Sequence, residues 1–227
     1  MRHTFALSLV LNTLDFLYPP ICLCCKSIIS PSFKTLCQNC FESLQLLSTF
    51  RRCRRCFHAL DEGNHRCQHS ALKSQAACFE DSPACRTLLS SSGSATAPFI
   101  LMQWNELRWP LPDLIIPTPG DWFSRGNDRW TARKEIAQSV ALLLNRPYTQ
   151  CLGLNRHLLP VPYLSLEEQR RDVDWHAVKI RNPSSVVNSK ILLIHDVYVT
   201  GKSLQTTATA LIHIGALNVW GISVASV

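Results

Sequence analysis

Paired cysteines dominate the first third of the chain. Cys22 and Cys25, Cys37 and Cys40, and Cys53 and Cys56 each stand three positions apart, and Cys67 and His69 follow. Two thiolates at that spacing reach one metal ion. Two such knuckles supply the four soft ligands of a tetrahedral zinc site, with no position left for water. Cys22, Cys25, Cys37 and Cys40 make one complete set. Cys53, Cys56 and Cys67 supply three ligands of a second. Ser70 stands where a mirror-image knuckle would place cysteine, so His69 serves as the fourth ligand or the second site is lost. Closed coordination points to structural rather than catalytic zinc. Of the 11 cysteines, ten precede residue 86. An odd count in close pairs argues against a disulfide framework and for a reducing cytosol. Cys78, Cys85 and Cys151 are isolated and read as core residues.

A second chemical signal lies at residues 191–203, Ile-Leu-Leu-Ile-His-Asp-Val-Tyr-Val-Thr-Gly-Lys-Ser. An apolar strand runs into a short loop, and a helix starts directly after it. Backbone N–H groups at that start, the hydroxyls of Thr200 and Ser203 and the helix dipole converge on one spot, which makes an anion site. Gly201 lets the backbone approach a ligand closely. Gly201-Lys202-Ser203 also resembles the end of a nucleoside triphosphatase loop, but Asp196 stands where that loop requires its first glycine. An acidic residue at a strand end suits sugar hydroxyls instead. His195, Asp196, Thr200, Gly201, Lys202 and Ser203 are therefore the candidate ribose and phosphate contacts. The bland alternative is a strand–helix turn with a serine cap. No catalytic residue is assigned. His195 is placed to act as a base, although a histidine at a strand end more often serves only as a hydrogen-bonding residue.

Arg51, Arg52, Arg54 and Arg55 flank the third knuckle, and the formal charge is +7. These arginines either track phosphates of nucleic acid, with Trp122 and Trp130 stacking on bases, or form a solvated loop. Hydrophobic content of 46% with 17% charged residues allows a real core and excludes a disordered tail.

These groups need scaffolding. Residues 1–20 read as an amphipathic helix through Leu7, Val10, Leu11, Leu14 and Leu17, stopped by Pro19-Pro20. A lipoprotein-type signal ending at Cys22 is the weaker reading, because it takes a cysteine that the first knuckle needs. No stretch reaches the roughly 20 apolar residues of a membrane span. Residues 21–70 form the cysteine-rich module. Residues 71–110 read as a linker or hood, with a helix opening at Pro83 and a flexible Ser90–Ala97. From 111 to 227 the pattern is α/β. Strands are expected at Leu114–Ile116, Leu158–Val161, Ile191–Ile194 and Val219–Val227. Helices are expected at Thr131–Asn145, with a stripe of Ile136, Val140, Leu143 and Leu144, and at Leu204–Ile214, capped by Gly215. Residues 164–182 are polar and read as helix followed by loop. Strand, helix, strand at the C-terminus predicts a parallel sheet.

Segment 191–203 resembles the phosphoribosyl pyrophosphate motif of type I phosphoribosyltransferases, which is four apolar residues, two acidic ones, an apolar one, then Thr-Thr-Gly and Thr or Ser. With the cysteine module ahead of it, the chain resembles the ComF family, which includes the competence-associated ComF proteins and the related GntX proteins. Leu17-Tyr18-Pro19-Pro20, Ile116-Pro117-Thr118-Pro119 and Leu164-Ser165 with Arg170-Arg171 carry the likeness along most of the chain. Four features depart from the pattern. His195 replaces the first acid, Val199 replaces the first Thr, Leu88-Leu89-Ser90-Ser91 lacks a lysine, and Arg125-Gly126-Asn127 is shifted. The resemblance implies a type I phosphoribosyltransferase-like parallel sheet with a small hood, preceded by a double zinc ribbon. It implies phosphoribosyl pyrophosphate with Mg2+ as ligand. It also implies a role in DNA uptake during natural transformation beside the competence machinery, in the cytoplasm at the inner-membrane face. The degenerate motif favours binding over turnover. The alternatives are an active phosphoribosyltransferase of nucleotide or related metabolism and a non-enzymatic factor binding single-stranded DNA.

Overall fold

The computed structural model describes residues 19–30, 35–60, 67, 71–91, 93–119, 128–154, 175–198 and 201–227, with backbone alone for 128–131 and 177. The expected helix over 1–18 and the expected strand at Leu158–Val161 lie outside those residues.

Ile191–Ile194 is apolar at every position because both faces of its strand are covered. That strand, β5 (Lys190–Tyr198), pairs in parallel with β2 (Leu114–Pro117) on one side and β6 (Asn218–Ser226) on the other. β1 (Ser74–Glu80) pairs in parallel with β6, which gives the order β1-β6-β5-β2. Leu192 and Ile194 enter one hydrophobic cluster with Ile136, Ala137 and Val140 of helix α4 (Asp128–Leu144). Ile191 and Leu193 enter a second with Leu204, Ala208 and Leu211 of helix α5 (Lys202–His213). Each enclosed Leu, Ile or Val side chain contributes about 2 kcal/mol of burial. A small antiparallel pair, β3 (Leu152–Leu154) with β4 (Val178–Ile180), stands apart from the main sheet. β4 occupies part of the stretch expected as helix and loop.

The structure differs from expectation over 71–110. β1 belongs to the main sheet, and helices α2 (Pro83–Ser91) and α3 (Ala97–Glu106) lie over it. The Ser90–Ala97 stretch is not a flexible linker. Its Gly93–Thr96 part is a one-turn 3-10 helix, with Gly93, Thr96 and Ala97 buried. Gly93 sits against α4, where a Cβ would lie 2.7 Å from the Ala132 carbonyl oxygen. The stripe of α4 also shifts. Leu143 is exposed, and the buried face is Ala132, Arg133, Ile136, Ala137, Val140 and Ala141.

The cysteine-rich segment, which carries the short helix α1 (Gln38–Glu42), is joined to this body. Leu47 donates its N–H to Cys78 O at 2.7 Å, Leu46 bridges Phe79, and Gln103 Nε2 reaches Leu47 O at 3.0 Å. Leu47 and Phe57 enter the same core cluster as Phe79 and Ile100.

Candidate metal centres and anion loop

The Cys22–Cys25 and Cys53–Cys56 knuckles are copies of one turn. Lys26 N–H donates to Cys22 O and Phe57 N–H to Cys53 O, each at 2.9 Å. Lys26 and Phe57, directly after the second cysteine of each knuckle, take positive φ of 63° and 61°. Ile21–Ile28 and Arg52–Ala59 close matching antiparallel bridges. That left-handed residue lets the chain reverse and aim both sulfurs inward.

The ligand atoms of Cys22, Cys25, Cys37 and Cys40 lie within 4.8 Å of one another, and so do those of Cys53, Cys56 and Cys67. Cys25 and Cys37 sulfurs are 3.6 Å apart, Cys53 and Cys67 3.1 Å, and Cys67 and Cys56 3.5 Å. A zinc–sulfur bond of about 2.3 Å puts tetrahedral sulfurs roughly 3.8 Å apart, so the first cluster suits a complete four-sulfur structural zinc site and the second supplies three thiols of one, more tightly spaced. Burial acts against ionising Cys22, but the backbone amides of Cys25, Cys37 and Cys24 bring its thiol down to about 6. Cys53 also falls to about 6 against burial, through the amides of Cys56 and Arg55 and the Cys67 thiol. His69, the expected fourth ligand of the second cluster, lies outside the described residues. Cys78, Cys85 and Cys151 are buried at 0%, 0% and 3% exposure, and burial raises each thiol.

At the other site, β2 ends at Pro117, beside Ile194 of β5, which runs on to Tyr198. The helices that follow these two strands, α4 and α5, enter opposite clusters, so the winding of the sheet reverses between them, the place where open α/β sheets hold ligands. Thr118 Oγ1 and His195 Nδ1 meet there at 2.7 Å. Arg133 Nε lies 2.9 Å from Asp196 Oδ1, and one of its terminal nitrogens donates to Pro119 O at 3.0 Å. His195 Nε2 is 3.6 Å from the same Asp196 oxygen. His195 and Asp196 are 8% and 3% exposed, which decides their protonation. Burial, with Arg133 adding to it, pushes His195 down to about 4 despite Asp196. Burial opposes the Asp196 charge, but His195, Arg133 and the Val197 amide together hold its carboxyl below its ordinary value. At neutral pH the imidazole is uncharged, so Arg133 is the standing counter-charge.

Gly201 caps α5 with φ of 72°, and no side chain caps that helix start. Ser203 therefore lies in the first turn and is exposed, with Gly201 and Lys202 half-exposed. Thr200 lies outside the described residues. The structure thus joins His195 and Asp196 to Thr118 and Arg133, and sets Gly201, Lys202 and Ser203 on the helix start. Sequence reasoning missed Arg133. Its position three residues before Ile136, on the buried face of α4, is the signal that finds it. Thr118 belongs to the Ile116–Pro119 segment that carries the family likeness, but nothing in the sequence gives its hydroxyl a partner.

Arg51, Arg52 and Arg54 line one groove with Arg108, Phe50 and Trp109, between the Cys53–Cys56 knuckle and the end of α3; Arg55 is not among the lining. Arg52 stacks over Phe57 at 5.1 Å and Arg51 over Phe50 at 5.7 Å, and the Phe50 ring is 77% exposed. Trp122 and the Trp130 side chain lie outside the described residues. Among the described residues no helix is long and apolar enough to cross a membrane.

Residues 13–86 match the double zinc ribbon domain family. No curated protein matches the chain. Among solved structures, it is similar to glutamine phosphoribosylpyrophosphate amidotransferase from B. subtilis complexed with ADP and GMP. The identity is 18% over 58% of this chain and 26% of that one, with a TM-score of 0.39. It is also similar to the structure of the allosteric regulatory enzyme of purine biosynthesis, at 17% identity over 60% of this chain and 26% of that one, with a TM-score of 0.37. The chain spans about a quarter of the length of each, 26% in both cases.

Proposed function

We propose that the α/β body binds a phosphorylated sugar of the phosphoribosyl pyrophosphate type at Asp196–Ser203, with zinc knuckles serving as structure. One observation carries this reading. The central strand β5 lies where the winding of the sheet reverses, and α5 opens after it on a left-handed glycine with no side-chain cap. A helix start of that kind offers N–H groups and partial positive charge to a phosphate. Ligand contact falls on Gly201, Lys202 and Ser203, with Thr200 beside them, and Mg2+ neutralises the pyrophosphate charge. Asp196 reaches ribose hydroxyls only by turning out of its pair with Arg133. His195 is neutral and enclosed, with a pKa of about 4, so it is poorly suited to act as a base at neutral pH. The reading is therefore of a binding site, not of a transferase.

Calorimetric titration with phosphoribosyl pyrophosphate and Mg2+ tests it. The wild-type chain binds, Ser203→Ala weakens binding about tenfold by removing a charge-assisted hydrogen bond, and Asp196→Asn reports whether the carboxylate leaves Arg133 for the ribose. No heat of binding in the wild type removes the proposal.

A second reading rests on the groove holding Arg51, Arg52, Arg54 and Arg108 beside exposed Phe50. Guanidinium groups interleaved with aromatic rings suit single-stranded nucleic acid, in keeping with the DNA-uptake role that the ComF resemblance implies. Affinity for a single-stranded oligonucleotide should fall steeply with salt, and more gently in Arg52→Ala and Arg54→Ala. An unchanged salt slope in both variants rules the groove out.

A further inference from the structure

One buried side chain touches both the second cysteine cluster and the anion loop. Gln75, in β1, is 9% exposed. Its Nε2 donates to the main-chain oxygen of Cys56 at 3.0 Å and to Tyr198 Oη at 3.0 Å. Its own backbone N–H donates to Arg55 O at 2.9 Å, and the neighbouring Ser74 hydroxyl donates to Arg54 O. Three successive carbonyls of the knuckle, from Arg54 to Cys56, are thus held by two residues of β1. On the far side of the amide, the Tyr198 ring lies against the glycine that opens α5. A Cβ at Gly201 would stand 2.7 Å from Tyr198 Cε2 and 2.9 Å from its Oη.

We propose that Gln75 is a positioning residue that couples the Cys53–Cys56–Cys67 metal site to the loop at Gly201. Metal on the three thiolates fixes the turn that carries Cys56 O. That oxygen and Tyr198 Oη take the two hydrogens of one amide, so a fixed knuckle fixes the tyrosine. The ring in turn bounds the space open to the left-handed backbone at Gly201. Freed of metal, the knuckle releases its carbonyls, and Gln75 no longer holds the ring. Linkage makes the effect reciprocal, so whatever holds the loop also slows the loss of metal from the second site. Only the ligand arm of the test rests on the sugar-phosphate reading.

The test uses the full-length, zinc-loaded chain with Gln75→Met, which keeps side-chain length but removes both N–H donors, and Tyr198→Phe, which removes Oη alone. Zinc release to a chromophoric chelator is followed, and the second-site phase is identified as the one lost in Cys67→Ser. Each variant should speed that phase roughly fivefold, the worth of one buried hydrogen bond. The double variant should be no faster than Gln75→Met, because both changes break one link. Hydrogen exchange over 196–206 should quicken in Gln75→Met and in Cys67→Ser. Should Cys67→Ser fail to fold, Gln75→Met alone decides the exchange arm. If the wild type binds phosphoribosyl pyrophosphate, Gln75→Met weakens it by a similar factor. If the wild type does not bind it, the proposed function falls, and zinc release and exchange still decide the coupling. Absence of a second-site phase, or wild-type release and exchange in both variants, overturns the proposal.

Discussion

Protonating His195 is opposed by burial and by the Arg133 guanidinium, and favoured by Asp196 and a backbone hydrogen bond at Val197. Its pKa falls from 6.5 in the unfolded chain to about 4 in the native one. Between those values the unfolded chain binds a proton that the native chain does not, so stability rises with pH across that window. The contribution is complete above pH 6.5 and is lost as the pH falls toward 4, by at most about 3 kcal/mol. Asp196, whose carboxyl is held below 3.8, loses its own contribution only at lower pH, as it is protonated. Thermal melts from pH 7 to pH 4 should show the wild-type midpoint falling more steeply than that of His195→Gln, which has no imidazole to charge. Parallel curves would falsify the assignment. How far this cluster was readable from sequence follows from where its members stand. His195 and Asp196 lie within one contiguous motif, so their types and order are visible in the chain. Arg133 and Thr118 come from other elements, and only the fold of β2 and α4 against β5 brings them near. Gln75 was hidden for the same reason, since a buried glutamine has no signature until its two partners are known.

Elements were legible where both strand faces are apolar or where a helix follows a loop glycine. β5 reads directly because Ile and Leu fill positions 191–194 on both sides, β6 because Val and Ile recur along it, and α5 because Gly201 opens it and Gly215, at φ of 99°, follows its end. β1 escaped because its residues are Ser-Gln-Ala-Ala-Cys-Phe-Glu. The polar side chains at its start are buried against knuckle carbonyls, which no periodicity reveals. The serine-rich stretch after α2 failed differently. Small residues there serve close packing, which looks from composition like flexibility. Gly93 makes the point measurable. An added methyl would meet the Ala132 carbonyl oxygen at 2.7 Å and its Cα at 3.0 Å, and these are backbone atoms that no rotamer change can move. Gly93→Ala should cost about 1–3 kcal/mol through displacement of α4. If this segment were a flexible linker, the same change would leave denaturant unfolding untouched or strengthen the fold by restricting the unfolded chain. A midpoint at or above wild type would therefore contradict the packed arrangement.

At the scale of the molecule, the cysteine-rich part and the α/β body share a core. Leu47 and Phe57 lie in the cluster that holds Phe79, Leu89, Ile100 and Trp220, and the first knuckle rests through Cys22, Ile29 and Leu36 on Ala84 and Leu88 of α2. A linker between independent units would allow one part to unfold alone. Here the exposed edge left by a lost module would include Phe79 and Leu88, each at most 5% exposed in the folded chain. Metal binding to thiolates in the native state but weakly in the unfolded one adds its free energy to folding, so removing it acts on whatever folds together with the knuckles. The zinc-loaded protein should therefore unfold in a single calorimetric transition. A chelator should lower the midpoint of that whole transition, including the signal of Trp220 in β6, which lies in the shared core. Two transitions, of which the later one keeps its midpoint in chelator, would show that the module and the sheet are separate folding units. Protein purified without chelator and free of zinc would remove the premise.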